Sequence, residues 1–255
     1  MNISSIESFI HCSTDLSYNH LISTSDPEVY FSETADLLPA YPDLKKYISV
    51  HEHSRSDKFH FNEDRQTFIC CHALLRLLLS KMLNMQPSEI SYVQGRFNKP
   101  FLKGNPVHFN ITHTRNAFAI AISKYSYIGI DLENVNRKFD FRSVEKMIFN
   151  SKERLFISES HEEARDRFFL LWTRKEAFLK AIGLGIITNM KQIGVHEQKN
   201  LMNKKLLEKF HHRSCNDHFI YSGNIADYSY SVSVPQISAV NVKRITADNL
   251  HIHLV

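Results

Sequence analysis

The chain has 255 residues, of which 43% are apolar and 23% are charged, and its formal net charge is +4 with the histidines neutral. Such a chain can bury a sizeable core, as one large domain or as two smaller ones. The mild basic excess suits a small polyanionic ligand or an acidic protein partner. It lacks the dense basic stripe that usually marks nucleic-acid binding, so no nucleic-acid partner is expected.

The cysteines and histidines form no metal-binding pattern. The four cysteines have neither metal-ligand nor disulfide spacing, and the adjacent pair at 70–71 lies in an apolar run typical of buried packing. The fifteen histidines include no HExxH motif, so zinc is not predicted. The N-terminus has no signal-peptide pattern, and the apolar cluster at 74–79 is too short to cross a bilayer. We therefore expect a cytoplasmic protein without a membrane partner.

The first half of the chain predicts one strong helix and several strands. Residues 1–50 are mixed, with a strand near the start and weak helical periodicity over 36–47. A helix begins at 62–64, is apolar on several faces as core helices are, and ends at Pro87. Residues 88–103 follow as strand and turn. Strands are then predicted over 108–112 and 117–123.

The second half repeats this order. A strand is predicted over 127–131, and helices over 141–159 and 162–182, with Gly183 placed where a left-handed helix cap is needed. Period-two alternation in the tail predicts strands near Tyr221, over 228–234 and 238–245, and again over 251–255. Helix followed by strands thus occurs twice. The predicted fold class is α+β, with an N-terminal half at 1–124 and a C-terminal half at 125–255.

Three acids and one lysine lie on two regular segments. Asp131 and Glu133 share one face of a strand, and Glu176 and Lys180 lie one above the other on a helix. If the acids converge, each pair repels by about 3 kcal/mol at roughly 5 Å and an effective dielectric of 20, so either a cation offsets the repulsion or one acid stays protonated. Oxygen ligands favour Mg²⁺, with Mn²⁺ as an alternative. Ordinary strand-end charges and a surface ion pair remain the other interpretation.

The helix that carries Glu176 is apolar around most of its circumference. Trp172, Glu176 and Lys180 lie on one line along it, and charges in such surroundings are costly to bury without partners. A shared polar site is therefore favoured. The segment 109–114 ends a strand in small polar groups, which form either a polar turn or a phosphate-binding segment in which Thr112 and His113 donate.

Four motifs in order resemble the Sfp-type 4'-phosphopantetheinyl transferases, which are holo-carrier-protein synthases. They are Phe-Asn-Lys-Pro at 97–100, Phe-Asn-Ile-Thr-His-Thr at 109–114, Ile-Gly-Ile-Asp-Leu-Glu at 128–133, and Trp-Thr-Arg-Lys-Glu-Ala at 172–177 followed by Lys180 and Gly183. A weaker match over 64–76 resembles the family's helix that ends in Ala-Leu-Leu-Arg. The motifs together span residues 97–185.

The resemblance implies a fold and a set of roles. The family consists of two similar α+β halves, a pseudo-dimer in one chain, with the active site between them. The N-terminal half would supply coenzyme A phosphate contacts, and the C-terminal half the metal ligands and the catalytic helix. The implied Mg²⁺ ligands are Asp131, Glu133 and Glu176; the catalytic residues are Glu176 and Lys180; the coenzyme A contacts are Arg55, Asn98, Lys99, Pro100, Thr112 and His113.

Some positions depart from the family pattern. The usual Gly before Lys-Pro is Asn98, which tolerates a left-handed backbone, and the usual Ser-His-Ser is Thr-His-Thr at 112–114, which keeps the hydroxyls. In the upstream helix, family arginines are replaced by Thr67 and His72. These two replacements affect nucleotide contacts from that helix and leave the implied metal site intact.

The function implied is transfer of the phosphopantetheine arm of coenzyme A to a serine of an acyl or peptidyl carrier protein, with release of adenosine 3',5'-bisphosphate. We expect a monomer that acts on an acidic carrier, with the basic stretch 199–213 near the docking edge beside residues 186–187. Two alternatives remain. One is a non-catalytic carrier-binding paralogue, and the other is a different Mg²⁺-dependent enzyme acting on a nucleotide diphosphate.

Overall fold

The structure is a computed structural model. It describes residues 10–13, 27–104, 106–124, 126–185, 190–196, 201–202, 218–235 and 239–250. The helices in these ranges are α1 (Thr34–Leu37), α2 (Tyr41–Leu44), α3 (Val50–Ser56), α4 (Asn62–Leu83), α5 (Arg142–Ile148), α6 (Ser151–Ser158) and α7 (Ala164–Ala181).

The strands in the same ranges fall into three sheets. They are β1 (Ile10–Ser13), β2 (Glu28–Glu33), β3 (Tyr92–Gln94), β4 (Pro100–Leu102), β5 (His108–Thr114), β6 (Ala117–Ser123), β7 (Gly129–Asn134), β8 (Leu201–Met202), β9 (His218–Ile225), β10 (Tyr228–Val234) and β11 (Val240–Arg244). A five-stranded sheet has the order β1-β11-β2-β6-β5, a four-stranded sheet the order β7-β10-β9-β8, and β3 pairs with β4. Helices and sheets in separate stretches confirm the predicted α+β class.

The described residues group into two compact units. The first lies within 1–93, 101–125 and 238–255, and the second within 94–100 and 126–237. Compared with halves divided at 124, the units differ in two segments: 94–100 belongs to the second unit, and 238–255 to the first.

The first unit packs the long helix α4 against the five-stranded sheet. Its core includes Phe68, Leu74 and Leu78 from α4 and Phe118 and Ile120 from β6. By length and composition alone α4 also resembles a membrane span, which is weak evidence because most of that stretch is buried inside the protein, as a core helix would be. The prediction that the cysteines at 70–71 are buried packing residues is confirmed, since both are free thiols with almost no exposure.

The second unit places α7 on the four-stranded antiparallel sheet. Aromatic side chains dominate its core, including Phe149, Phe168, Phe169 and Phe178. The ring of Phe168 contacts those of Phe149 and Phe169 edge to face, with centroids 5.3 Å apart in both pairs. This arrangement is the favourable one for aromatic rings.

Two predicted helices differ from the observed ones. The helix over 141–159 is two helices, because Asn150 adopts an extended backbone and forms a capping box with Glu153 that starts α6. The helix predicted to end at Pro87 ends earlier, where Asn84 has a φ of 52°. The predicted strand over 251–255 lies outside the described residues.

The pairing of the tail strand was not predicted from the sequence. The strand predicted over 238–245 is observed as β11, but it pairs in parallel with β1 and β2 in the five-stranded sheet. It does not continue the antiparallel run of β9 and β10. Parallel partners are joined by long connections, so the partner of β11 lies far away in the chain.

A buried carboxylate stabilises the first unit. Glu52 of α3 accepts hydrogen bonds from Arg76 Nε at 2.7 Å, from His72 Nδ1 at 3.0 Å and from the backbone N–H of Ser49 at 2.7 Å. Burial alone would raise the pKa of Glu52, but the hydrogen bonds from His72, Ser49 and Arg76 outweigh it and lower the pKa to about 2. Arg76 also donates to the Pro87 carbonyl at 2.8 Å, so the network fixes the chain after α4.

We expect the stability of the chain to fall in acid through Glu52. Its folded pKa lies below the ordinary value of 4.5, so the stabilisation is present above pH 4.5 and is lost as the pH falls toward 2. The loss is about 3 kcal/mol for a shift of this size. Urea unfolding followed by circular dichroism at pH 5 and pH 3 measures it. In Glu52→Gln this part of the acid sensitivity should disappear; a variant as acid-sensitive as the wild type would contradict the assignment.

Candidate active site

The acids of β7 face the helix α7. Gly129, Asp131 and Glu133 share one face of the strand, and opposite them on β10 stand the small residues Ser233, Ser231 and Ser229. Thr173 of α7 reaches this face, with its hydroxyl 2.8 Å from that of Ser231. The sequence Tyr-Ser-Tyr-Ser-Val-Ser-Val at 228–234 therefore presents its small side chains to the helix, which lets the helix lie close.

Gly129 is the point of closest approach. A Cβ at this position would lie 2.0 Å from the carbonyl oxygen of Ala177 and 2.3 Å from the backbone nitrogen of Ala181. Backbone packs on backbone here, so only glycine fits. A glycine inside a strand often marks such an approach, and this is the signal by which the sequence could have identified it.

A line of three residues on α7 meets the acids of β7. Trp172 donates its indole N–H to Glu133 Oε1 at 3.0 Å, and Lys180 forms an ion pair with Asp131 Oδ1 at 2.6 Å. Glu176 lies between them on the same line of the helix. Its Oε1 is buried and has no hydrogen-bond partner among the described residues. The structure thus brings together the three predicted metal ligands and Lys180 on one strand and one helix.

The ionised forms of the carboxylates in this cluster are disfavoured by burial and by one another. Burial, and next the charge of Asp131, raises the pKa of Glu133 to about 7. Burial and Asp131 likewise raise the pKa of Glu176 to about 7, while Lys180 opposes the shift. Each carboxylate makes the next harder to ionise. A cation would relieve this repulsion.

The cluster suits Mg²⁺ by its chemistry and not as a closed cage. The described residues contain no group of three or more His, Cys, Asp or Glu side chains placed closely enough to hold a metal ion. However, Mg²⁺ usually keeps several waters and binds one or two carboxylates together with substrate phosphates. The carboxylate oxygens, the unpartnered Oε1 of Glu176 and the mutual repulsion of the acids fit a cation bound in this open way.

A loop after β7 supports Glu133 from the other side. Arg137 contacts Glu133 Oε2 at 3.2 Å. Arg165 of α7 holds this loop by donating to the carbonyls of Val135, Arg137 and Phe139. The role of Arg165 could not be predicted from the sequence, because it depends on contacts between segments about 30 residues apart.

The charged pair inside the 172–177 motif points away from the acids. Lys175 forms a fully buried ion pair with Glu153 Oε2 at 2.9 Å and donates to the Met190 carbonyl at 2.9 Å. Arg174 donates to the Val195 carbonyl at 2.9 Å. These two residues hold the segment 190–195 against α7, so they support the site without lining it.

The loop tip at 97–100 belongs to the second unit. Phe97 and Asn98 have φ values of 56° and 60°, and Asn98 thus adopts the left-handed backbone that asparagine tolerates. Pro100 begins β4. The ammonium of Lys99 donates to the backbone carbonyls of Ile128, Lys180 and Ala181. Its predicted phosphate contact stays a prediction.

The other predicted coenzyme A contacts lie in the first unit. Thr112 is buried in β5, and His113 is exposed near the end of the same strand. The guanidinium of Arg55 lies 5.2 Å from the centre of the Phe68 ring. These placements leave the predicted roles of Arg55, Thr112 and His113 as predictions.

The two positions that replace family arginines are occupied in structural contacts. The Thr67 hydroxyl lies 2.8 Å from that of Thr34. His72 joins the network of Glu52 described above. Both side chains therefore stabilise the first unit.

We expect Gly129→Ala to destabilise the second unit. The added methyl group would overlap the backbone of α7, which should lower the free energy of unfolding by at least about 2 kcal/mol. Gly194→Ala is the matched control, since its Cβ would come no closer than 3.7 Å to Asn150 Nδ2. Urea unfolding of both variants measures the difference. Equal stability of the two would contradict the close approach of β7 and α7.

We expect Glu176→Gln to stabilise the metal-free protein at alkaline pH. The folded pKa of Glu176 lies above 4.5, so its favourable contribution is present below pH 4.5 and is lost as the pH rises through about 7. At pH 8 the carboxylate therefore costs the folded state about 3 kcal/mol, which glutamine avoids. Thermal unfolding in chelator should show a gain in Tm at pH 8 and a smaller one at pH 5. The exposed Glu162→Gln serves as control, and a pH-independent difference would refute the strain.

Comparison with known families covers most of the chain. A family model described as 4'-phosphopantetheinyl transferase, N-terminal, matches residues 39–125, and one described as 4'-phosphopantetheinyl transferase superfamily matches residues 127–232. The second match contains Asp131, Glu133, Glu176 and Lys180.

Individual relatives agree with these models. A Synechocystis sp. protein with a provisional 4'-phosphopantetheinyl transferase name is 31% identical over 172 residues, which are 66% of this chain and 69% of the relative. The 4'-phosphopantetheinyl transferase HetI of Nostoc sp. is 34% identical over 149 residues, 56% of this chain and 63% of the relative. The 4'-phosphopantetheinyl transferase Sfp of Bacillus subtilis is 25% identical over 141 residues, 55% and 62%. These matches confirm the resemblance to the Sfp-type enzymes, and the chain belongs to the 4'-phosphopantetheinyl transferase superfamily, a family of transferases.

Proposed function

We propose that this protein transfers the 4'-phosphopantetheine arm of coenzyme A to a serine hydroxyl of an acyl or peptidyl carrier protein, with Mg²⁺ bound, and releases adenosine 3',5'-bisphosphate. The observation that carries the proposal is the meeting of Asp131, Glu133, Glu176 and Lys180 between β7 and α7, in a chain of this superfamily. Membership alone gives the class of reaction. The cluster supplies the chemistry for a diphosphate substrate.

The reaction is an in-line substitution at phosphorus. The serine oxygen forms a bond to the phosphorus that carries pantetheine, and the bond from this phosphorus to the bridging oxygen of the diphosphate breaks. The serine proton leaves to a base, and the bridging oxygen departs with adenosine bisphosphate. Bound Mg²⁺ would neutralise charge on the diphosphate, and Asp131, Glu133 and Glu176 would hold it.

Glu176 is the candidate base for the serine proton. One of its carboxylate oxygens is already without a hydrogen-bond partner among the described residues, so it is available to accept a proton from an incoming hydroxyl. Its position on α7 between Trp172 and Lys180 places it in the middle of the cluster.

Lys180 is the candidate group for stabilising the leaving group. Its side chain is 28% exposed and its ammonium contacts Asp131 at 2.6 Å, so the ammonium is held at the edge of the acid cluster. A cation held there supplies positive charge where negative charge develops on the departing oxygen. The predicted contacts of Arg55, Asn98, Pro100, Thr112 and His113 with coenzyme A belong to this proposal.

The partner and the location are also part of the proposal. We propose an acidic carrier protein, a monomeric enzyme and a cytoplasmic reaction. The basic stretch 199–213 was predicted to lie near the carrier, and apart from residues 201–202 it lies outside the described residues, as do 186–187. The thiols of Cys70 and Cys71 are unpaired in the structure, in keeping with a reducing compartment.

Incubation with coenzyme A, Mg²⁺ and several apo-carrier proteins tests the reaction directly. We expect intact-mass spectrometry to show a gain of one phosphopantetheine per carrier, and we expect this gain to disappear with chelator. Glu176→Gln should reduce turnover at least about a hundredfold while the protein stays folded. Glu162→Gln, an exposed acid next to the same helix, should transfer normally.

The outcomes separate the alternatives. Carriers that bind but gain no mass would indicate a non-catalytic paralogue. Cleavage of other nucleotide diphosphates without carrier modification would indicate a different Mg²⁺-dependent enzyme. Near-normal transfer by Glu176→Gln would refute the role of that carboxylate as base.

A further inference from the structure

Lys99 makes contacts that differ from a phosphate grip. Its ammonium donates to the carbonyl oxygen of Ile128 at 3.2 Å, to that of Ala181 at 3.3 Å, and to that of Lys180. An ammonium has three N–H donors and no acceptor. All three donors are therefore directed at backbone carbonyls, and a phosphate could be bound only by giving one of them up.

These carbonyls belong to the two elements that form the candidate active site. Ile128 directly precedes β7, which carries Asp131 and Glu133. Lys180 and Ala181 end α7, which carries Glu176. Lys99 thus connects the start of the strand with the end of the helix, on the side where Gly129 brings their backbones together.

The side chain of Lys99 also provides a hydrogen-bond donor for the carbonyls at the C-terminal end of α7. The last carbonyls of a helix have no partner within it, and they carry partial negative charge. Gly183, with a φ of 69°, forms the predicted left-handed cap, in which its N–H bonds to the Lys180 carbonyl at 3.3 Å and that of Leu184 to the Leu179 carbonyl at 2.9 Å. Among the described residues no backbone N–H of this cap bonds to the Ala181 carbonyl, and Lys99 donates to that carbonyl at 3.3 Å.

The environment of the Lys99 side chain supports a fixed position. Its methylene stem passes close to Gly183, where an added Cβ would lie 3.9 Å from the Lys99 Cδ. Burial, and next the charge of Lys180, lowers the pKa of Lys99 to about 8, so the ammonium is still protonated at neutral pH and can make all three bonds.

We propose that Lys99 is a positioning residue of the transferase reaction, which fixes β7 against the C-terminal end of α7 and so sets the acid cluster and Lys180 in their relative places. This inference rests on the proposed function of the cluster. It gives the lysine of the Phe-Asn-Lys-Pro motif a role through backbone carbonyls and not through a phosphate of coenzyme A. The motif at 97–100 would then act on the geometry of the catalytic helix.

The chain contains its own reporter of that geometry. Trp172 is the single tryptophan of the sequence, and its indole N–H bonds to Glu133. Its fluorescence therefore reports on the contact between α7 and β7. Paramagnetic Mn²⁺, which binds the same oxygen ligands as Mg²⁺, should quench this emission when it reaches the acid cluster.

The test compares Lys99→Met with Lys103→Met. Methionine keeps an unbranched side chain and removes the ammonium, and Lys103 is an exposed lysine nearby in the chain. Mn²⁺ titrations followed by Trp172 emission, without coenzyme A or carrier, should show a dissociation constant raised about tenfold in Lys99→Met, as is typical when support of metal ligands is lost. Lys103→Met should match the wild type. Circular dichroism checks that each variant is folded.

Steady-state kinetics then separate positioning from phosphate binding. Each variant is assayed with coenzyme A and with 3'-dephospho-coenzyme A. Under the proposal, kcat falls by a similar factor with both substrates and KM for coenzyme A changes little. Unchanged Mn²⁺ affinity together with a raised KM for coenzyme A would overturn it and favour the phosphate contact. A wild-type protein without any Mn²⁺-dependent change in emission would overturn it as well.

A second variant covers the case in which Lys99→Met does not fold. Lys99→Arg keeps the positive charge, but its planar guanidinium does not match three carbonyls around one nitrogen. The proposal predicts weakened Mn²⁺ binding with an unchanged KM for coenzyme A, and the reverse pattern would refute it. A wild type that binds Mn²⁺ but modifies no carrier would contradict the proposed function, while the Mn²⁺ comparison would still decide the role of Lys99.

Discussion

The candidate site depends on the contact between the backbone of β7 and the backbone of α7. Gly129 has no side chain at the one place where a Cβ would overlap Ala177 and Ala181. The serines of β10 keep the rest of that sheet face shallow. With the two elements this close, Asp131 contacts Lys180 and Glu133 contacts Trp172 directly. A larger residue at 129 would push α7 away from β7, and the same acids would no longer lie in one cluster.

The close packing of β7 and α7 brings carboxylates together and raises their pKa, whereas the buried carboxylate of Glu52 has a lowered pKa. Glu52 receives bonds from Arg76, His72 and the backbone of Ser49, and its pKa falls to about 2. In the acid cluster, Lys180 forms an ion pair with Asp131, and the pKa of Glu176 nevertheless rises to about 7. The first carboxylate stabilises the fold and the second destabilises it. Such contrasts are expected where a site holds charge for a ligand and not for the fold.

The side chains of the 172–177 motif contact two different parts of the second unit. Trp172 and Glu176 face the strand, whereas Arg174 and Lys175 are directed at the carbonyls of Val195 and Met190. A helix places neighbours about 100° apart, so one short motif can serve both the site and its support. Substituting Lys175 would therefore reach the site through packing, and an activity loss there would not identify a catalytic group.

Patterns within one element were readable from the sequence, and contacts between elements were not. The period of two put Asp131 and Glu133 on one face, the spacing of four put Glu176 above Lys180, and the left-handed cap at Gly183 was predicted from glycine alone. These follow from the geometry of a single strand or helix. The break at Asn150 was not predicted because the apolar pattern on both sides of it is helical. The capping box of Asn150 and Glu153 outweighs that pattern locally and starts a new helix.

The partners of Lys99, Trp172 and β11 could not be predicted from the sequence, and the reason is the same for all three. Each is fixed by tertiary packing across long separations: Lys99 bonds to a carbonyl 81 residues away, and Trp172 to a carboxylate 39 residues away. The family resemblance named Lys99 correctly as part of a motif but could not say which atoms its ammonium meets. A lysine beside a presumed anion site suggests a phosphate contact by charge alone. Three backbone carbonyl oxygens also carry negative partial charge and accept hydrogen bonds from an ammonium. In this protein they are the groups that the Lys99 ammonium contacts.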